Sequence, residues 1–143
     1  MEKEKKYRIG YTDGGYDLFH VGHLNMIQTA KSRCEYLIVG VHGDDVVEEY
    51  KHRRPIINEN DRKRIIESIK GVDRAEINRF RDKLKLWELY HFDVIFIGDD
   101  WKGTERWNNF EKVLAEINVD VVYVPYTKGI STTDIRKQIL VVS

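Results

Sequence analysis

Three short runs constrain this chain more than anything else in it: YLIVGV at 36–41, DVIFIG at 93–98 and DVVYVP at 120–125. Each is apolar and rich in β-branched residues through its middle. A strand with one wet face alternates apolar and polar residues. A continuous run marks a strand covered on both faces, as in a parallel sheet packed between helices. Arg8–Tyr11 predicts a strand before them, and Ala75–Ile77 a short one between the first run and the second. The intervening stretches carry helical spacing. Val21, Leu24, Ile27 and Ala30 share one face, and Phe110, Val113, Leu114 and Ile117 another. Residues 58–69 open on Asn58 or Asn60 as a cap, 83–90 reads as a helix, and 131–140 as a capped final helix. This alternation predicts a single α/β, Rossmann-like domain over residues 1–143, with a parallel five-stranded sheet flanked by helices.

In such sheets ligands sit beyond the carboxyl ends of the strands. The chemistry is therefore expected in TDGGYDLFHVGH, HGDD, GDDWKG and PYTKGISTT, which all follow strands. Lys and Arg total 24, as do Asp and Glu, so the net charge is zero. That balance argues against a broad nucleic-acid or membrane surface and implies that any anion site is local. The single cysteine, Cys34, allows no intrachain disulfide and agrees with a reducing compartment. The opening MEKEKKYRIG has no apolar core of signal-peptide length and no stretch is long enough to span a membrane, so the expectation is a cytoplasmic protein.

The densest chemistry is in YDLFHVGH, where His20 and His23 stand at the entrance of a predicted helix, after Gly14 and Gly15. A helix N-terminus offers unpaired N–H groups and partial positive charge, and two imidazole donors added there suit a polyphosphate. A metal site needs a third ligand, and no acid or cysteine stands nearby at suitable spacing. No Ser-His-Asp or Cys-His grouping is present.

The segment Gly14-Gly15-Tyr16-Asp17-Leu18-Phe19-His20-Val21-Gly22-His23 resembles the H-x-G-H signature of the nucleotidyltransferases that include cytidylyltransferases. ISTT at 130–133 is similar to their second signature, and GDDWKG at 98–103 resembles the bacterial glycerol-3-phosphate cytidylyltransferases. YKHRRPIINENDR is similar to a stretch of the choline- and ethanolamine-phosphate enzymes. The likeness spans roughly residues 8 to 140. It implies transfer of CMP from CTP to a phosphorylated alcohol, with glycerol 3-phosphate the best match. Other phospho-alcohols, a phosphonate, an adenylyl transfer and a non-catalytic nucleotide-binding module stay open. It also implies Mg²⁺ carried mainly by the CTP phosphates, with no protein metal site, and a homodimer. Trp87, Tyr90, Phe92 and Trp107 are open to either a dimer face or the core.

The resemblance assigns residues as well. His20 and His23 contact the triphosphate, with Gly14, Gly15, Tyr16 and Asp17 around them. Ile130, Ser131, Thr132 and Thr133 add donors at the start of the last helix. Lys51, or Arg53 beside it, reaches the phosphates of both substrates, and Lys70 serves the nucleotide. Asp99, Asp100 and Trp101 address the base, since a carboxylate accepts from an exocyclic amine. One departure stands out: Tyr126 occupies the place of an arginine that binds the acceptor phosphate in that family, with Lys128 two residues on. A tyrosine cannot supply a charged bidentate fork.

Overall fold

A computed structural model describes residues 6–142. The first five residues, half of the segment read for a leader, lie outside the described residues, as does Ser143. In chain order the elements are β1 (Tyr7–Gly14), α1 (Val21–Ser32), β2 (Cys34–His42), α2 (Asp44–Lys51), α3 (Glu59–Glu67), β3 (Arg74–Asn78), α4 (Lys83–Tyr90), β4 (Val94–Gly98), α5 (Glu105–Ala115), β5 (Asp120–Val124) and α6 (Thr132–Val142). A single 3₁₀ turn, Asp99–Trp101, follows β4.

All five strands are parallel, in the order β3-β2-β1-β4-β5. The chain winds outward from β1 to β3, then returns to the other side of β1 to lay down β4 and β5. The direction of winding reverses between β1 and β4, and a crevice opens there beyond the strand ends.

The continuous apolar runs have a direct explanation. Leu37, Val39 and Val41 of β2 face the side covered by α1 and α3, where they pack with Ile27, Ala30, Ile66, Val94 and Phe96. Ile38 and Ile95 point to the other side, with Tyr11, Leu86, Phe92, Trp107 and Leu114 under α4 and α5. Alternate residues of one strand thus enter two cores, and neither face tolerates a polar residue. Phe92 is 1% exposed and Trp107 3%, while Trp87 and Tyr90 pack partly buried against the same cluster. Phe92 and Trp107 are therefore core residues, while Trp87 and Tyr90 pack on the core and keep part of their surface. Tyr11 stacks on Phe92 with ring centroids 4.8 Å apart.

Two elements differ from the expectation. β1 runs on to Gly14, so Asp13 is a strand residue at the sheet's end. Residues 44–51 form α2, an element absent from the pattern read above. Only Val46 and Val47 of that helix are buried, too few to give a periodic signal. Asp44 and Asp45 at its N-terminus complement the helix dipole, and His52 ends it with φ 60°.

Candidate active site

The link from β1 to α1 is built under strain. Tyr16 and Leu18 both adopt left-handed φ, 57° and 50°, which ordinary side chains disfavour. Surrounding bonds hold them there. The Asp17 carboxylate accepts the N–H groups of Ile56 and Ile57, each at 2.9 Å. The Asp17 carbonyl accepts the Thr132 hydroxyl at 2.7 Å, tying the loop to α6. Arg62, with no exposed surface, donates to the carbonyls of Gly15 (2.7 Å), His42 (2.6 Å) and Ile57 (2.8 Å) and to Asp44 Oδ1 (2.7 Å). One buried guanidinium thus joins the ends of β1 and β2 to α2 and α3.

His20 caps α1. Its Nδ1 accepts the N–H of Gly22 at 3.1 Å, and Nδ1 of His23 accepts the N–H of His20 at 3.2 Å. The rings stack with centroids 3.8 Å apart. An Nδ1 that accepts carries no proton, so each neutral ring has its proton on Nε2. Burial lowers the pKa of His20. Burial, then the neighbouring His20 and Lys51, push His23 down to about 3. The pair is therefore neutral near pH 7, and each ring offers an Nε2–H donor to the cleft it lines. Gly22 is required by this arrangement: a Cβ there would stand 2.8 Å from Cε1 of His20.

The main cleft, about 390 Å³, lies at the crevice between β1 and β4. It gathers Gly14, Gly15, Tyr16, His20, His23, Lys51, Asp100, Trp101, Tyr126 and the run Ile130–Thr133 from the residues anticipated above. Met26, Gly98, Pro125 and Thr127 complete much of its wall. Gly98 admits the folded-back Asp100 side chain, whose Oδ1 would lie 2.5 Å from a Cβ there. Ser131 Oγ accepts the N–H of Asp134 at 3.0 Å, so Ser131 caps α6 while lining the cleft.

Two smaller cavities adjoin. One, about 90 Å³, is lined by His23, Lys51, Arg53, Arg54, Thr132 and Arg136, with Asp17 at its edge. The other, about 210 Å³, lies between the end of β1, α2 and the starts of α4 and α5. Gly15 and Lys51 line all three. Desolvation and the adjacent Arg53 lower the pKa of Lys51, as expected for a cation held among cations.

Some anticipated residues stand elsewhere. Asp17 spends both carboxylate oxygens on backbone N–H groups and shapes the loop. Asp99 accepts the N–H of Tyr126 at 3.0 Å and positions the 125–127 loop, while its neighbour Asp100 lines the cleft. Arg53 lines the small cavity alone. Lys128 and Lys70 are exposed and line none of the three cavities. Lys70 lies in the turn after α3, and Lys128 in the turn before Ile130.

The sequence reading passed over Asp13, Arg62, Arg81, Arg106 and Arg136. Asp13 is buried with Lys83 at 2.7 Å and His42 at 3.6 Å. Burial alone would raise its pKa, but Lys83 and His42 outweigh that and hold it far below the usual carboxylate range. Arg62 had a visible signal: it lies four residues before the fully buried Ile66, on the same helix face. Arg81 and Arg106 are far apart in sequence and carry no local signal.

The family model described as Cytidylyltransferase-like matches residues 11–138. The chain belongs to the cytidylyltransferase-like family. That places it among nucleotidyltransferase enzymes. A glycerol-3-phosphate cytidylyltransferase of Bacillus spizizenii is 36% identical over 127 residues, 88% of this chain and 92% of that protein. An ethanolamine-phosphate cytidylyltransferase of Dictyostelium discoideum is 36% identical over 137 residues, 93% of this chain but 38% of that longer protein. Among solved structures, a lipopolysaccharide core biosynthesis protein of Thermoplasma volcanium is similar at 26% identity and a TM-score of 0.71, covering 85% of this chain and 98% of that one. No described helix is long and apolar enough to cross a membrane.

Proposed function

We infer that this cytidylyltransferase-like enzyme transfers CMP from CTP to a phosphorylated alcohol, with release of pyrophosphate. Glycerol 3-phosphate, the acceptor in the name of the bacterial relative, is the first choice. The observation that carries the reading is the pair of neutral imidazoles, His20 and His23, fixed as Nε2–H donors at the mouth of α1 by their bonds to the backbone.

The arrangement suits direct displacement. An alkyl phosphate has a second pKa of about 6 and is dianionic at neutral pH, so its oxygen attacks the α-phosphorus without a general base. As that O–P bond forms, the bond from the α-phosphorus to the bridging oxygen breaks, and the electron pair leaves with pyrophosphate. No proton transfer is needed. What the reaction requires is alignment and stabilisation of charge on the α-phosphoryl oxygens and the leaving group. The Nε2–H donors of His20 and His23 serve the α-phosphoryl group. Ser131 and the backbone N–H groups at the N-terminus of α6 receive the β- and γ-phosphates, the Thr132 hydroxyl being spent on the Asp17 carbonyl. Lys51, at the junction of all three cavities, is placed to touch both reacting phosphates. The nucleoside lies along Gly98, Asp100, Trp101 and Tyr126, where Asp100 meets an exocyclic amine.

Among the described residues no group of three or more His, Cys, Asp or Glu side chains could hold a metal ion. Asp13 is engaged by Lys83, Asp17 by backbone, and Asp100 is given to the base, so Mg²⁺ would ride mainly on the CTP phosphates. When bound, Mg²⁺ supplies charge neutralisation on the phosphates.

The test is turnover with each of CTP, ATP, GTP and UTP against glycerol 3-phosphate, phosphoethanolamine, phosphocholine and other phosphorylated polyols, read by pyrophosphate release and product mass. A CDP-alcohol formed from CTP is the expected result. ATP preferred over CTP, or no turnover with any pair, overturns the reading.

A further inference from the structure

The 210 Å³ cavity beside the main cleft is lined by two arginines, Arg81 and Arg106, that form no ion pair among the described residues. Its single carboxylate, Asp13, is already neutralised by Lys83 at 2.7 Å. Arg81 lies flat against the Tyr50 ring, with its guanidinium carbon 4.0 Å from the centroid, so the fork is held in place before any ligand arrives. Arg106 reaches the cavity from the first turn of α5. Neither arginine has a carboxylate within 4.0 Å among the described residues, and Nε of Arg81 is buried with no hydrogen-bond partner. Burial and then the repulsion of Arg106 lower the pKa of Arg81, against smaller opposing effects of Tyr50, Asp13 and Glu49. A cavity that concentrates two uncompensated guanidiniums is built for a group with two negative charges.

We propose that Arg81 and Arg106 clamp the dianionic phosphate of the acceptor, supplying from the loop before α4 and from α5 the charge that Tyr126 cannot supply. The proposal rests on the functional reading above. The cavity shares Gly14, Gly15, Lys51, Ile97 and Trp101 with the main cleft, so a phosphate held in it abuts the α-phosphoryl site. The small cavity lined by Arg53, Arg54 and Arg136 also opens at Gly15 and Lys51, and it does not contain Arg81 or Arg106. Acceptor and leaving group thus have separate basic chambers meeting at Lys51, as an in-line displacement requires. Two guanidiniums balance the acceptor's two charges without the cations that serve the triphosphate.

The test uses Arg81→Ala, Arg106→Ala and their lysine variants, with folding checked by circular dichroism. CTP is held saturating while glycerol 3-phosphate is varied. Each alanine variant is expected to raise the KM for glycerol 3-phosphate by about 10- to 100-fold, with CTP affinity within about twofold of wild type; lysine at 106 recovers part of the loss. An unchanged acceptor KM in both alanine variants overturns the proposal. A loss of CTP affinity in place of acceptor affinity also overturns it, by putting the triphosphate in this cavity. Trp101 and Trp107 line the cavity, so glycerol 3-phosphate binding can be followed by tryptophan fluorescence without turnover. If the wild type binds it saturably but transfers no CMP, the clamp survives while the transferase reading fails. If Arg106→Ala, which lies on a helix surface away from the Tyr50 stack, binds it as the wild type does, the clamp fails by itself.

Discussion

Replacing Gly22 with alanine tests whether catalysis depends on the exact seat of the His20 ring. A Cβ at 22 would stand 2.8 Å from Cε1 and 3.0 Å from Nδ1 of His20. Carbon contacts relax near 3.5–4.0 Å, so the ring must withdraw by about 0.7–1.2 Å. That movement breaks the 3.1 Å bond from the Gly22 N–H to Nδ1 and releases the constraint that puts the proton on Nε2. The stability terms oppose each other. Alanine gains about 1 kcal/mol over glycine inside a helix, and losing a side-chain cap costs about 1 kcal/mol. Gly22→Ala should therefore unfold in urea within about 1 kcal/mol of wild type. Displacing a transition-state donor by about 1 Å costs on the order of 100-fold in rate. The expected outcome is a stable protein whose kcat, measured by continuous pyrophosphate release, falls by about 100-fold with little change in CTP binding. A kcat within threefold of wild type would refute the reasoning.

Three further outcomes follow from the same geometry. Methionine in place of Arg62 removes the donor to three carbonyls and Asp44, and should cost about 3–5 kcal/mol in urea unfolding because Asp44 and the carbonyls lose their partner; a loss under 1 kcal/mol would show that the loop holds itself. Lys83→Met leaves Asp13 charged and buried and should cost a similar 3–5 kcal/mol, with Asp13→Asn in the same chain recovering much of it in a double-mutant cycle. His23 is held neutral down to about pH 3 when folded but titrates near 6.5 when unfolded. The unfolded chain therefore binds the extra proton, and the stability His23 contributes is complete above pH 6.5 and drains away as pH falls toward 3. Between pH 6.5 and 5 the wild type should lose about 1–2 kcal/mol relative to His23→Asn, and parallel curves for the two would contradict the burial of that ring.

What the sequence revealed and what it hid have physical causes. The strands covered on both faces were plain in YLIVGV and DVIFIG, because burial on two sides excludes polar residues from every position. The histidine pair, Gly22 and ISTT were legible because a helix mouth writes its capping groups and donors into a few adjacent residues. α2 was hidden because Val46 and Val47 are its only buried positions. Asp99 looked like a ligand carboxylate, yet it accepts the backbone N–H of Tyr126, and Asp17, open to a loop or a phosphate role, accepts those of Ile56 and Ile57. An acid in a loop looks the same in sequence whether it meets a ligand or the chain's own backbone. Arg81 and Arg106 line one cavity bounded by several separate elements, and only the folded chain brings them together.

On the proposed mechanism His20 and His23 donate hydrogen bonds to the α-phosphoryl group while the acceptor phosphate attacks it directly, and they act neither as nucleophiles nor as metal ligands. The configuration at the α-phosphorus tests this most directly. With a single diastereomer of the α-thio analogue of CTP as donor, one in-line displacement predicts a product of inverted configuration. Retention, which requires two displacements through a cytidylylated side chain, would contradict it.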